Sequence, residues 1–234
     1  MKSKRAYPKL KRIMIVLGLI VVCFSAYVVF ITRNNHDMTG RQRILKAVYP
    51  AFMWFTKLTG TNTAKVENKT IMPPVSVYSL KATTIDGKPF SFETLKGKKI
   101  LLVNTASDCG YTNQYEDLEK LYKQYQDELV VIGFPANDFK EQEKGSNQDI
   151  ASFCKANFGV TFPLMEKSVV IKNTAQSEVF QWLTDAAKNG WNKQLPTWNF
   201  SKYLVNEKGM LTNYFGPSVT PLSDTIVNAI HIHL

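Results

Sequence analysis

The chain opens on a long apolar run and then changes period twice. Ile13 to Thr32 (IMIVLGLIVVCFSAYVVFIT) carries no charge. At the helical rise it spans about 30 Å, the thickness of a bilayer core, and predicts a transmembrane helix. Residues 41–58 then place Ile44, Leu45, Val48, Ala51, Phe52 and Phe55 near helical spacing, with Arg41, Arg43, Lys46 and Lys57 between them. This predicts an amphipathic helix, kinked or divided at Pro50. A basic, aromatic-rich helix just past a span suits the bilayer surface; packing against a folded domain is the other reading. Residues 60–76 are mostly polar, hold Pro73-Pro74 and read as a linker.

From residue 77 the pattern is that of an α/β domain. Val77–Leu80 and Phe90–Phe92 flank Asp86-Gly87, a hairpin signal. Lys98–Thr105 and Leu129–Phe134 are apolar runs that predict buried strands. Helical spacing predicts helices over Thr112–Gln126, Ser146–Asn157, Gln176–Lys188 (stopped by Gly190) and Pro221–His231. Lys202–Val205 and Leu211–Phe215 read as strands around the Glu207-Lys208-Gly209 turn. The order βαβ, helices, ββα predicts a thioredoxin-like fold, a central mixed sheet flanked by helices.

Charge sharpens the division. The net charge is +10, yet residues 1–78 hold 13 Lys and Arg against two acids, and the remainder holds 16 against 17. A nucleic-acid module carries its basic patch on the folded domain, so that partner is not expected. The six basic residues from Lys2 to Arg12 precede the apolar run. The positive-inside rule then puts residues 1–12 in the cytoplasm and everything after Thr32 on the far side. Secretion after signal cleavage is the alternative, disfavoured by the length of the run and the bulky Tyr27-Val-Val-Phe30. The expected domains are 1–12, 13–32, 33–76 and 77–234.

Three Cys (23, 109, 154) and three His (36, 231, 233) give no zinc spacing, so neither metal nor cofactor is expected. Cys23 falls inside the apolar run. Cys109 follows the first core strand, in Val103-Asn-Thr-Ala-Ser-Asp-Cys-Gly-Tyr-Thr112. A strand-to-helix seam suits a reactive thiol, because unpaired N–H groups there favour the thiolate. The adjacent Asp108 works against that. A dithiol exchange site would read C-x-x-C; here Thr112 stands in the second position.

VNTASDCGYTNQYEDLEKLY resembles the active-site motif of the glutathione peroxidase family, and IGFPANDFKEQEKGSNQDI its second signature. FGVTFPLMEK and PTWNFSKYLV resemble its later blocks, in the family's order across residues 77–234. The resemblance implies a thiol peroxidase that reduces hydrogen peroxide or organic and lipid hydroperoxides in the response to oxidative stress. It puts the peroxidatic role on Cys109 and its donors on Gln142, Trp198 and Asn199. Neutral amide and indole N–H groups favour a charged sulfur without a fixed counter-charge. Cys154 resembles the resolving Cys of the thioredoxin-dependent members, which turns a sulfenic acid into a disulfide. Ala136 departs from the family, since a Cys is common there.

All five Arg lie before residue 44, so the domain lacks the basic forks that hold the carboxylates of glutathione. A thioredoxin-like reductant is therefore expected. No long insertion of the kind linked to tetramers in the family separates Lys188 from Trp198, so the resemblance implies a monomer. The alternatives are a membrane-tethered redox sensor and a thiol-disulfide oxidoreductase.

Overall fold

The computed structural model describes residues 7–35, 37–68 and 70–232. Residues 1–6 of the expected basic tail, His36 and His233 lie outside them. Helix α1 (Tyr7–Thr32) contains the apolar run. From Leu10 to Thr32 it is long and apolar enough to cross a membrane, and none of that stretch but its end is buried in the protein.

The apolar runs form the centre of a five-stranded sheet. Strands β4 (Lys99–Thr105) and β5 (Leu129–Pro135) are buried along their whole length and pair in parallel, Lys99 opposite Leu129 and Thr105 opposite Pro135. Continuous Val, Ile and Leu runs are what a strand covered on both faces requires. Helix α3 (Gln114–Gln124) connects them. β6 (Lys202–Val205) pairs antiparallel with β4, and β7 (Leu211–Phe215) with β6. Gly209 turns that hairpin at φ +81°, a backbone conformation that favours glycine. One layer, with α3, α4 (Asn147–Phe158) and α7 (Asp224–His231), packs around Tyr115, Leu118, Cys154 and Ile230. The other packs around Phe92, Phe180 and Trp182. The arrangement is the expected thioredoxin-like α/β fold.

Several elements differ from the sequence reading. Val77–Ser79 is a 3-10 turn capped by Ser76, because Val77 and Leu80 are both buried at helical rather than alternating spacing. The hairpin strands are instead β2 (Lys81–Thr83) and β3 (Pro89–Ser91), around the expected Asp86-Gly87 turn. The expected helix over 176–188 is two, α5 (Glu178–Thr184) and α6 (Ala186–Asn189). Between them Asp185 is extended, and its carboxylate accepts the N–H of Ala187 at 3.0 Å; a capping residue starts a new helix.

The segment read as a linker is tied down. β1 (Lys65–Glu67) adds to the sheet edge, antiparallel to β7. Further on, the Trp182 indole donates to Val75 O at 2.7 Å. Backbone pairing needs no apolar side chains, which is why KVE gave no strand signal.

Helix α2 (Gly40–Thr59) runs unbroken through Pro50. Thr39 and Gln42 form its capping box and Gly60 closes it in the left-handed conformation. It packs on the domain: the Phe52 and Tyr111 rings lie 4.9 Å apart. Its other face leaves Ile44, Trp54, Phe55 and Leu58 exposed.

Candidate active site

Cys109 sits in the turn between β4 and α3. The helix proper begins at Gln114 rather than Thr112, but turns with hydrogen bonds from Thr112 N, Gln114 N and Tyr115 N wind continuously into it. Thr112 organises the loop: its hydroxyl accepts the N–H of Cys109 at 3.0 Å and reaches Ala106 O at 2.9 Å. A hydroxyl thus stands where a second thiol would make an exchange site. The Tyr111 N–H donates to Cys109 Sγ at 3.4 Å.

The sulfur is closed off, with the residue 1% exposed. Burial pushes the thiol up to about 11, opposed by the Tyr111 N–H and by hydrogen bonds from the Trp198 and Asn199 side chains, with the Asp108 carboxylate adding to the rise. Burial thus opposes the thiolate that a helix start favours, and the three hydrogen bonds support it.

Two loops bring the donors. Trp198 and Asn199 precede β6, where Phe200 adopts φ +67°. That turn is clamped by Asn104 of β4, whose amide donates to Trp198 O (3.1 Å) and accepts the N–H of Ser201 (3.0 Å). Asn104 was missed in the sequence; a polar residue inside an apolar strand was its signal. Gln142 follows Lys140 and Glu141, both at positive φ (52° and 51°). Non-glycine residues in this region cost free energy and are held by their surroundings. Here Gln142 O accepts the N–H of Asp108 at 3.1 Å. The Gln142 side chain reaches the site through Asn199, whose Nδ2 donates to Gln142 Oε1 at 3.1 Å.

Glu143 lies behind this loop and was not singled out in the sequence. Its carboxylate accepts from Ser107 Oγ at 3.2 Å. Burial pushes it up to about 7 against the Ser107 hydrogen bonds.

Cys154 is fully buried on the inward side of α4, beside the Tyr115 hydroxyl, and burial pushes its thiol up to about 12. Cys109 and Cys154 are both free. The hollow that Cys109 lines has only about 10 Å³; Phe153 and Phe158 of that helix line it together with Gln42, Leu45 and Lys46 of α2, and Cys154 does not. A larger cleft of about 500 Å³ opens alongside, between Gln42, Asp108, Gln142 and α4. Among the described residues no group of three His, Cys, Asp or Glu is placed to hold a metal ion.

The site is not confined to the domain. Arg41 of α2 pairs with Asp108 at 2.9 Å and Gln42 Nε2 donates to Ser107 O at 3.1 Å. The amphipathic helix therefore lies on the active-site loop, the second of its two readings, and returns an arginine to a domain that has none.

The family model for glutathione peroxidase matches residues 77–184. The chain is 48% identical over 147 residues to the glutathione peroxidase-like peroxiredoxin GPX5 of Chlamydomonas reinhardtii, covering 62% of this chain and 90% of that one. It is 39% identical over 159 residues to the glutathione peroxidase homolog BsaA of Bacillus subtilis, covering 67% and 99%. Among solved structures, that of apo Trgpx is similar with a TM-score of 0.52 at 31% identity, covering 68% of this chain and 97% of that chain. The chain belongs to the glutathione peroxidase family.

Proposed function

We propose that this protein is a thiol peroxidase in which Cys109 attacks the hydroperoxide. The observation that carries it is the lone Cys109 with Thr112 in the second position, ringed by the neutral donors of Tyr111, Trp198 and Asn199. The sulfur attacks the terminal peroxide oxygen and the O–O bond breaks. The thiol proton ends on the departing oxygen, so Cys109-SH and ROOH give Cys109-SOH and ROH. Donors aimed at a position where charge develops lower such a barrier.

Cys154 is the proposed resolving thiol. Its attack on the sulfenic acid forms a Cys109–Cys154 disulfide and releases water. Because Phe153 and Phe158 but not Cys154 line the hollow at Cys109, and Cys154 is buried on the inward side of α4, this step needs α4 to leave its place. A dithiol reductant of thioredoxin type then restores both thiols. Residues 77–234 contain no arginine, and Arg41 at the site is already paired with Asp108, which supports a thioredoxin-type reductant over glutathione.

The proposed setting is a monomer anchored by residues 13–32, with residues 1–12 cytoplasmic and 77–234 on the far side of the membrane, acting against oxidative stress. It is supported by the exposed apolar α1 and the six basic residues before it.

The test is peroxide consumption by the full chain in detergent micelles, with thioredoxin and glutathione systems side by side. Cys109→Ser is expected to abolish turnover, and turnover retained by it would end this reading. Reduction of insulin disulfides in place of peroxide would favour the oxidoreductase alternative.

A further inference from the structure

Helix α2 touches the loop that carries Cys109 at five of its residues. Gln42 holds the carbonyl of Ser107, Arg41 the carboxylate of Asp108, and the Phe52 ring lies against Gly110 and Tyr111. Asn113 Nδ2 donates to Lys46 O at 3.3 Å. That carbonyl is free for a reason: its partner within the helix would be the N–H of residue 50, and Pro50 has none. The proline thus frees an acceptor on the side of α2 that faces the loop. Gln42 serves twice as well, its Oε1 accepting the Thr39 N–H of the capping box while its Nε2 reaches Ser107. The α2 side of these contacts lies outside the stretch matched by the family model, and the loop side lies inside it.

We propose that α2 is an integral wall of the peroxidase site, with Arg41 and Gln42 as positioning residues. Arg41 offsets the charge of Asp108 beside the reacting sulfur, and Gln42 fixes the loop that carries it. The inference rests on Cys109 being the reacting residue. Other charges face the loop: Lys46 of α2 lies over the Phe158 ring, Lys140 over Trp198, Glu143 is bonded to Ser107, and Lys144 acts on Asp108. Arg41 is distinct among them in touching the carboxylate adjacent to Cys109. An anion next to the sulfur opposes its ionisation and a cation favours it, so the two charges cancel when paired.

The experiment follows Cys109 itself. The full chain in micelles is alkylated with iodoacetamide across a pH series, the Cys109 peptide is quantified by mass spectrometry, and sulfenic acid formation is followed with hydrogen peroxide. Arg41→Gln is expected to slow both reactions roughly three- to ten-fold at fixed pH, by moving the ionisation profile to higher pH. Asp108→Asn should move it the other way, and the double variant should return close to wild type. Arg33→Gln, with the same loss of charge, should change nothing. An unmoved profile in Arg41→Gln, or slowing that Asp108→Asn does not restore, would overturn the proposal and leave Arg41 a packing residue. Wild-type protein that alkylates normally but never reacts with peroxide would instead defeat the peroxidase reading.

Discussion

The amide of Asn199 donates to the side-chain oxygen of Gln142 at 3.1 Å, 57 residues apart in sequence, and this bond joins the two donor loops beside Cys109. The partnership makes each loop depend on the other. Asn199 Oδ1, by contrast, is buried without a hydrogen-bond partner among the described residues. One acceptor is thus held in a closed site next to the Cys109 thiol.

Removal of either amide should therefore do more than delete one donor. Asn199→Ala and Gln142→Ala are each expected to slow Cys109 oxidation by roughly 10- to 100-fold, the range for a group that stabilises developing charge. Because each leaves the other buried and unpaired, the double variant should lose less than the two losses combined. Stopped-flow oxidation of the four proteins gives the coupling, expected at about 0.5–3 kcal/mol. Additive losses would show that the two act separately.

The buried thiol sets a pH dependence. With Cys109 pushed up to about 11, its alkylation rate should rise about ten-fold per pH unit from pH 7 towards 10. A plateau near neutrality would mean that the resting site already holds a thiolate.

Glu143 carries a second pH signature, in stability. Its folded value of about 7 lies above the ordinary 4.5. The folded state therefore favours the protonated acid, a contribution complete below pH 4.5 and lost as pH rises through 7. Glu143→Gln keeps an acceptor for Ser107 and removes the buried charge. Urea unfolding should find it more stable than wild type by about 3 kcal/mol at pH 8 and equal to it near pH 4.

The resolving role of Cys154 predicts a specific product. One equivalent of peroxide should yield a 109–154 disulfide by mass spectrometry, with hydrogen exchange speeding up across α4 as it forms. Cys154→Ser should stop at sulfenic acid and pass to sulfinic acid under excess peroxide. Over-oxidised Cys109 in the wild type, with Cys154 untouched, would remove Cys154 from the cycle.

The parts of this molecule legible in its sequence are those where side-chain pattern and burial coincide. β4 and β5 are apolar runs because both faces are covered, and α4 announces itself through its helical spacing and Ser146 at its start. The Cys109 loop was legible through its motif. β1 was not, because its pairing is backbone to backbone and all three side chains are exposed. The docking of α2 was hidden for another reason. Its helix is apolar on two sides, and spacing alone does not say which side meets the protein. Asn104 and Glu143 act through hydrogen bonds to distant loops, which only the fold brings near.

The pairing of β1 with β7 fixes how far the catalytic domain can travel. Between the end of α1 and the sheet lie a seven-residue connection and a helix already fastened to the active-site loop. Fully extended, that connection reaches about 25 Å. Arg43 of α2 donates to Thr32 O and Oγ1, and Asn35 Nδ2 donates to Asn157 O of α4, so if α1 spans a bilayer the domain is held beside it rather than drifting on a leash. Its thiol then samples a shell of solution next to the lipid, where hydroperoxides that partition between membrane and water are met at a raised effective concentration.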